Sequence, residues 1–187
     1  MRLTPHCLPG LALAAGARFH HTSPLSVLCN QSGAWWDLDR HPVPPRTAPP
    51  IAQSRTPDWS APELHVVLSF SSPAADGYET WRTADGGQGH VLHLEPQGGF
   101  SRDSVPREEV ADWGEAIYAR MLVEREKMAA SSERRARGER IATRLFIATP
   151  NALTVALGRS LNGWGRIVVM DRIKEADAYF ETFDLVV

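Results

Sequence analysis

Cysteine is nearly absent from this 187-residue chain: only Cys7 and Cys29 occur, both inside a proline-rich stretch, so a disulfide framework is not supported. His6, His20 and His21 lie near them, but no C-x-x-C or H-x-x-x-H spacing joins these residues into a tetrahedral set, and no metal site is expected. No apolar run reaches the roughly 18 residues that a membrane-crossing helix needs, so no membrane partner is expected. Charge of one sign is scarce as well. Twenty Lys and Arg against 22 Asp and Glu leave a net charge of −2, which offers no global field to attract duplex nucleic acid or anionic lipid. Any phosphate recognition has to be local. Catalytic signatures are missing too: there is no G-x-S-x-G elbow, no G-x-x-x-x-G-K-[ST] loop and no H-E-x-x-H. Neither an enzymatic activity nor a cofactor is expected.

The start resembles a signal peptide only superficially. Arg2 precedes a weakly apolar stretch from Cys7 to Ala17, but Pro9 and Gly10 interrupt it, and a cytoplasmic location is expected. Ten of the fourteen prolines fall before Glu63. Residues 1–60 therefore read as a leader or linker without regular structure, and residues 61–187 as the folded domain. Within the leader the pair Trp35-Trp36 calls for burial, at the domain edge or against a partner.

From Glu63 onward the pattern changes. Residues 64–70 form a compact β-branched and apolar run that suits a buried strand ending in the turn Ser71-Ser72-Pro73. Residues 90–94 read as a second strand, and Gly86-Gly87-Gln88-Gly89 before it as a hairpin loop. A helix is expected from Ser104 as N-cap, with Pro106, Glu108 and Glu109 in its first turn and an apolar stripe of Val110, Trp113, Ile117, Met121 and Met128. Arg134-Arg135-Ala136-Arg137 is bracketed by Glu133 and Glu139 without interleaved aromatics, and reads as a solvated helix end. Residues 141–148, a helix from Pro150 and a strand at residues 167–170 make a βαβ unit, which predicts a parallel pair with a right-handed crossover. A last strand covers residues 179–186. The fold class is α/β, a Rossmann-like sheet with flanking helices and a C-terminal βαββ unit.

In such a unit the turn after the first strand lies at the carboxyl edge of the sheet, where open α/β sheets bind ligands. Here that turn contains Thr149, Pro150 and Asn151, a hydroxyl and an amide beside the amide groups of a helix start, which suits phosphate or ribose. Thr149 is equally a good N-cap and Pro150 a good first helical residue. The neighbouring edge carries Ser69, Ser71 and Ser72, whose hydroxyls suit phosphate oxygens or simply a turn. His90 and His93 are three apart in a strand and face opposite ways, which spoils a shared metal.

The stretch Leu145-Phe146-Ile147-Ala148-Thr149-Pro150-Asn151-Ala152-Leu153-Thr154-Val155-Ala156-Leu157-Gly158-Arg159, followed by the strand at Ile167 and the ending at Tyr179 to Val187, resembles the end of a SAVED domain. That family shows a strand, an x-x-P turn, a small-residue helix closing in Ala-Leu-Gly-Arg, and two further strands. The resemblance implies a CARF-related sensor of bacterial CBASS and type III CRISPR antiphage systems. It implies binding of a cyclic oligonucleotide second messenger, homo-oligomerisation on ligand binding, and activation of a fused or separate effector. Such a ligand is expected against the two polar turns at the carboxyl edge, at Ser69, Ser71, Ser72, Thr149, Pro150 and Asn151. No effector is readable in the chain, which is expected to be a fragment, a product of a mispredicted start, or a stand-alone sensor. The alternative is a structural subunit with the same fold and no ligand, which exposed tryptophans at positions 35 and 36 would favour.

Overall fold

The computed structural model describes residues 2–3, 8–19, 26–39, 48–85, 87–99, 104–130, 141–173 and 178–187. Cys7, His6, His20, His21, the prolines at 42–45, Gly86 and the arginine cluster at 134–137 lie outside the described residues.

The described chain forms β1 (Arg2–Leu3), α1 (Pro9–Arg18), β2 (Leu28–Gln31), β3 (Ala34–Asp37), β4 (Ile51–Thr56), β5 (Glu63–Ser69), α2 (Ala75–Asp85) and β6 (Gly89–Pro96). A single 3₁₀ turn, Arg107–Glu109, leads into α3 (Val110–Ala129), followed by β7 (Ala142–Ala148), α4 (Asn151–Ser160), β8 (Arg166–Ile173) and β9 (Ala178–Val186). Strands β1 to β3 make a small sheet, and the main sheet has six strands in the order β4-β6-β5-β7-β8-β9. The inner four are parallel. The edge strands β4 and β9 are antiparallel to their neighbours.

The inner strands follow from their composition. Leu64 to Ser69 of β5 are all buried, as a strand covered on both faces requires. On β6 burial alternates: His90, Leu92 and Leu94 are buried, whereas Val91, His93 and Glu95 are only half-buried. One face of the sheet is thus covered more fully than the other. Helices α1, α3 and α4 pack together on the first face, in a core that includes Leu13, Leu92, Trp113, Ile117, Leu145 and Leu157. The apolar stripe of α3 is buried as its spacing predicts. Helix α2 lies on the second face, where Tyr78 and Trp81 close over Val67, Phe146, Val168 and Met170. It leans toward β9 and leaves β6 and β4 less covered.

Four expectations from the sequence are corrected. The proline-rich first sixty residues are not a structureless leader, because residues 9–18, 28–31, 34–37 and 51–56 form a helix and three strands. Pro9 is tolerated there because it occupies the first turn of α1, where its missing N–H has no partner to lose. The glycine run before β6 is not a hairpin, since β5 and β6 are parallel and α2 makes the crossover between them. Its glycines serve contact instead: a Cβ on Gly87 would lie 2.6 Å from the Trp81 ring, and one on Gly89 would overlap the His65 ring. Ser104 does not cap α3, whose N-cap is Glu109 after the 3₁₀ turn, and its hydroxyl donates to the Gly99 carbonyl at 3.3 Å. Thr149 does not cap α4 either, because the N-cap position falls on Pro150.

Candidate ligand site

The four parallel strands stand in the order β6-β5-β7-β8, that is second, first, third, fourth along the chain. The crossover after β5 runs to one side and the crossover after β7 to the other, so the chain reverses direction between these two strands. At such a switch point the two following loops part and leave a crevice at the carboxyl edge. The backbone holds the two strand ends together up to that edge: the amides of Phe70 and Ser71 both donate to the carbonyl of Ala148, at 2.8 and 2.9 Å. The structure therefore brings the two sequence-predicted groups, residues 69–72 and 149–151, to one edge.

Their side chains differ in availability. Ser69 is buried, and its Oγ accepts from the Ala74 amide at 3.0 Å and meets His93 Nε2 at 2.8 Å. The hydroxyl and the imidazole satisfy each other here, and either can donate according to the imidazole tautomer. Burial holds the His93 imidazole below the ordinary histidine range. Thr149 is also buried; its Oγ1 bonds Thr154 Oγ1, which donates in turn to the Pro150 carbonyl at 3.1 Å. Ser71 is exposed, and Ser72, Pro150 and Asn151 are half-buried. Ser69 and Thr149 shape the edge, while the other four line its surface.

The start of α4 is less open than its sequence implies. The Ala152 amide donates to Gln31 Oε1 at 3.2 Å, so the end of β2 reaches over the helix N-terminus. A cation missed in the sequence stands on the same edge: Arg172, near the end of β8, donates from Nη1 to the Pro73 carbonyl at 2.7 Å. The signal for it was its place next to the carboxyl end of a strand beside β7. That signal needed the strand order to be read.

The Ala156-Leu157-Gly158-Arg159 close of α4 has structural work. Gly158 lets α1 cross against α4, since a Cβ there would overlap the Leu13 carbonyl. Arg159 is buried and donates from Nη1 to the Leu38 carbonyl and to Asp39 Oδ1, both at 2.9 Å, which fastens the strands of the small sheet to α4.

His90 and His93 do face opposite ways. His90 Nδ1 accepts from the Asp58 amide at 3.3 Å, and its Nε2 donates to the buried Glu124 at 3.2 Å, which also pairs with Arg55 and Lys127. Among the described residues no group of His, Cys, Asp and Glu is arranged to hold a metal ion. No described helix is long and apolar enough to cross a membrane.

An open, mostly parallel α/β sheet with a polar turn on each side of its switch point defines a Rossmann-like ligand-binding domain. The family model of the SAVED domain, described as "SMODS-associated and fused to various effectors sensor domain", matches residues 6–185, and the chain belongs to that family. No curated protein matches it in sequence. Among solved structures it is similar to the Cap4 SAVED/CARF-domain containing receptor of Acinetobacter baumannii with the cyclic trinucleotide 3′3′3′-cAAA, with a TM-score of 0.74 and 18% identity. That match covers 100% of this chain and 39% of the receptor. The same receptor with 2′3′3′-cAAA gives a TM-score of 0.69 at 19% identity, covering 100% and 38%. The Moraxella osloensis Cap4 receptor gives 0.62 at 16% identity, covering 98% and 36%. The chain thus spans less than two fifths of these receptors, and the likeness is one of fold.

Proposed function

We propose that this chain is a cytoplasmic sensor of a cyclic oligonucleotide in antiphage defence, without catalytic activity of its own, and that the ligand lies over the crevice between β5 and β7. The observation that carries this reading is the convergence of the Ser71-Ser72 turn and the Pro150-Asn151 turn at the one switch point of the sheet. Ser71, Ser72 and Asn151 supply hydroxyl and amide groups for ribose and phosphate, Pro150 shapes the turn, and Ser69 and Thr149 hold the two loops in place. The family description as a sensor domain and the cyclic trinucleotides named with the Acinetobacter baumannii receptor support this choice of ligand. Ligand binding then drives homo-oligomerisation, which activates a fused or separate effector.

The alternative of a structural subunit without ligand gains little from the tryptophans. Trp36 is buried and only Trp35 is substantially exposed, so the pair does not make an apolar docking patch. The reading is tested by calorimetric titration with cyclic di-, tri- and tetranucleotides, followed by light scattering of the saturated protein. Saturable binding with an increase in mass is expected. Absence of binding across the series, by protein shown to be folded, overturns it.

A further inference from the structure

The amino edge of the sheet, at the opposite end from the crevice, carries a strap. Residues 57–62 lead from β4 to β5, and because the strand order is β4-β6-β5 they have to pass the start of β6. There they lie on His90, whose side chain is buried. The Asp58 amide donates to His90 Nδ1 at 3.3 Å, and the Trp59 ring stands over the imidazole with centroids 4.3 Å apart. The strap is a turn in its own right: Asp58 Oδ1 accepts from the Ser60 amide at 3.1 Å and from its hydroxyl at 2.7 Å, and the Ala61 amide donates to the Asp58 carbonyl at 3.2 Å.

The strap fixes where the imidazole proton sits. A backbone N–H can only donate, so Nδ1 presents its lone pair to Asp58, and the neutral ring carries its proton on Nε2, which donates to Glu124 Oε2 at 3.2 Å. Glu124, itself buried on α3, takes Arg55 of β4 at 2.9 Å and Lys127 of α3 at 3.0 Å on its other oxygen. Burial holds the imidazole below the ordinary histidine range; Arg55 opposes a charge on the ring, whereas Glu124 and Asp58 favour one. The Trp59 face also favours a cation. None of these groups removes the conflict at Nδ1: a proton there would set one N–H against another across the 3.3 Å that now separates donor from acceptor.

We propose that residues 57–61 are a proton-released strap: when His90 is protonated on both nitrogens, the Asp58 amide loses its acceptor and the strap lifts with Trp59 from the start of β6. The closed strap requires an unprotonated Nδ1, while the open strap leaves the ring to titrate as an ordinary histidine. By linkage the closed form is then disfavoured about tenfold for each unit that the pH falls below about 6.5, until the pKa of the closed form is reached. Release unpins the end of β4, an edge strand that is held by β6 alone among the strands. The device stands apart from the crevice and does not depend on what binds there.

The test follows the full chain, isotope-labelled in nitrogen, by NMR from about pH 7.5 to about 4.5, the span in which a histidine changes charge. The ring nitrogens of His90, the amides of Asp58 and Trp59 and the Trp59 indole should titrate together at one midpoint below the ordinary histidine range, while the amides of β5 and β7 hold their positions. Ser60→Ala, an exposed change that weakens the turn without touching the ring, should raise that midpoint by about half a unit, a roughly threefold change in the strap equilibrium. His90→Asn, which keeps an acceptor that cannot be protonated, should leave the strap closed throughout the folded range. A ring that titrates beneath unmoved strap amides, or that stays neutral until the whole domain unfolds, overturns the proposal. So does a midpoint unchanged in Ser60→Ala. These readings come from the parent and a surface variant, so they decide the matter even if His90→Asn does not fold.

Discussion

The amide of Gly10 donates to both carboxylate oxygens of Asp171, at 2.9 and 3.2 Å, across 161 residues of chain. Asp171 is buried near the end of β8 and also accepts from Thr182 Oγ1 at 2.9 Å. It serves the first turn of α1 as a capping residue would, and it ties the start of the chain to the main sheet.

Asp171→Ala leaves the buried Gly10 amide without its acceptor and takes one of two acceptors from the half-buried Thr182 hydroxyl, which should cost about 1–3 kcal/mol. Asp171→Asn keeps an acceptor oxygen. Burial holds the Asp171 carboxyl above the ordinary carboxylate range, so its charged form costs stability above the folded pKa, and that cost is relieved as pH falls through it. Asp171→Asn should therefore be nearly as stable as the parent at pH 7. Urea denaturation ranks the variants, and amide exchange in residues 12–18 should quicken selectively in Asp171→Ala. Uniform exchange through α1 and the rest of the domain would deny the carboxylate this anchoring role.

Helices α1 and α4 cross on glycine. A Cβ on Gly16 would overlap the Val155 carbonyl, and one on Gly158 the Leu13 carbonyl, which are backbone atoms that cannot swing aside. Gly158→Leu should lower stability by about 1–3 kcal/mol or more through overpacking. Gly163 is the control: it has φ of +76° and open space around it, so Gly163→Ala should lose only about 1 kcal/mol, from backbone strain. Thermal melts should separate the two. Equal losses would mean that the helices do not meet as closely as the glycines allow.

The acid limb of stability should depend on Glu63. A hydrogen bond from His65, and then the guanidinium of Arg144 at 2.9 Å, pull its carboxyl down to about 2 from an ordinary 4.5. The folded pKa lies below the unfolded one, so this contribution is complete above about pH 4.5 and disappears as pH falls toward 2. Glu63→Gln should be less stable than the parent at pH 6 and lose less on going to pH 3. Denaturation curves at those two values decide it, and parallel losses in both proteins would show that another carboxylate governs the acid limb.

What the sequence disclosed follows from how each element is buried. Strands β5, β7 and β8 are contiguous apolar runs because both faces are covered, and α3 has one apolar stripe because only one of its faces is. Such patterns are local. Helix α2 went unread because its sequence, ADGYETWRTAD, is mostly polar and leans on Tyr78 and Trp81 for its core contacts. Helix α1 went unread because proline density nearby suggested a linker, and its anchor at Asp171 is a tertiary contact. The edge of the site was legible as a turn between a strand and a helix. The pairings of Ser69 with His93, Arg172 with Pro73 and Gln31 with Ala152 were not, since each joins segments that only the strand order brings together.

The last prediction separates ligand binding from folding at the start of α4. A helix N-terminus carries about half a positive charge, so a carboxylate placed there stabilises the helix by roughly 0.3–1 kcal/mol while repelling a phosphate that would occupy the same position. Gln31 already presents an oxygen to the Ala152 amide, and Gln31→Glu would retain that acceptor and add the charge. Asn151→Asp adds a charge in the first turn of the helix itself. Both variants should melt at or above the parent temperature, and both should bind the cyclic oligonucleotide at least tenfold more weakly, with the difference shrinking as salt is raised. Their effects on binding should not simply add, because both charges act on the same phosphate. Calorimetric titration of parent, single and double variants at two salt concentrations measures all of this. If both single variants keep the parent affinity, the ligand does not reach the α4 start, and the crevice between β5 and β7 is not where this domain reads its messenger.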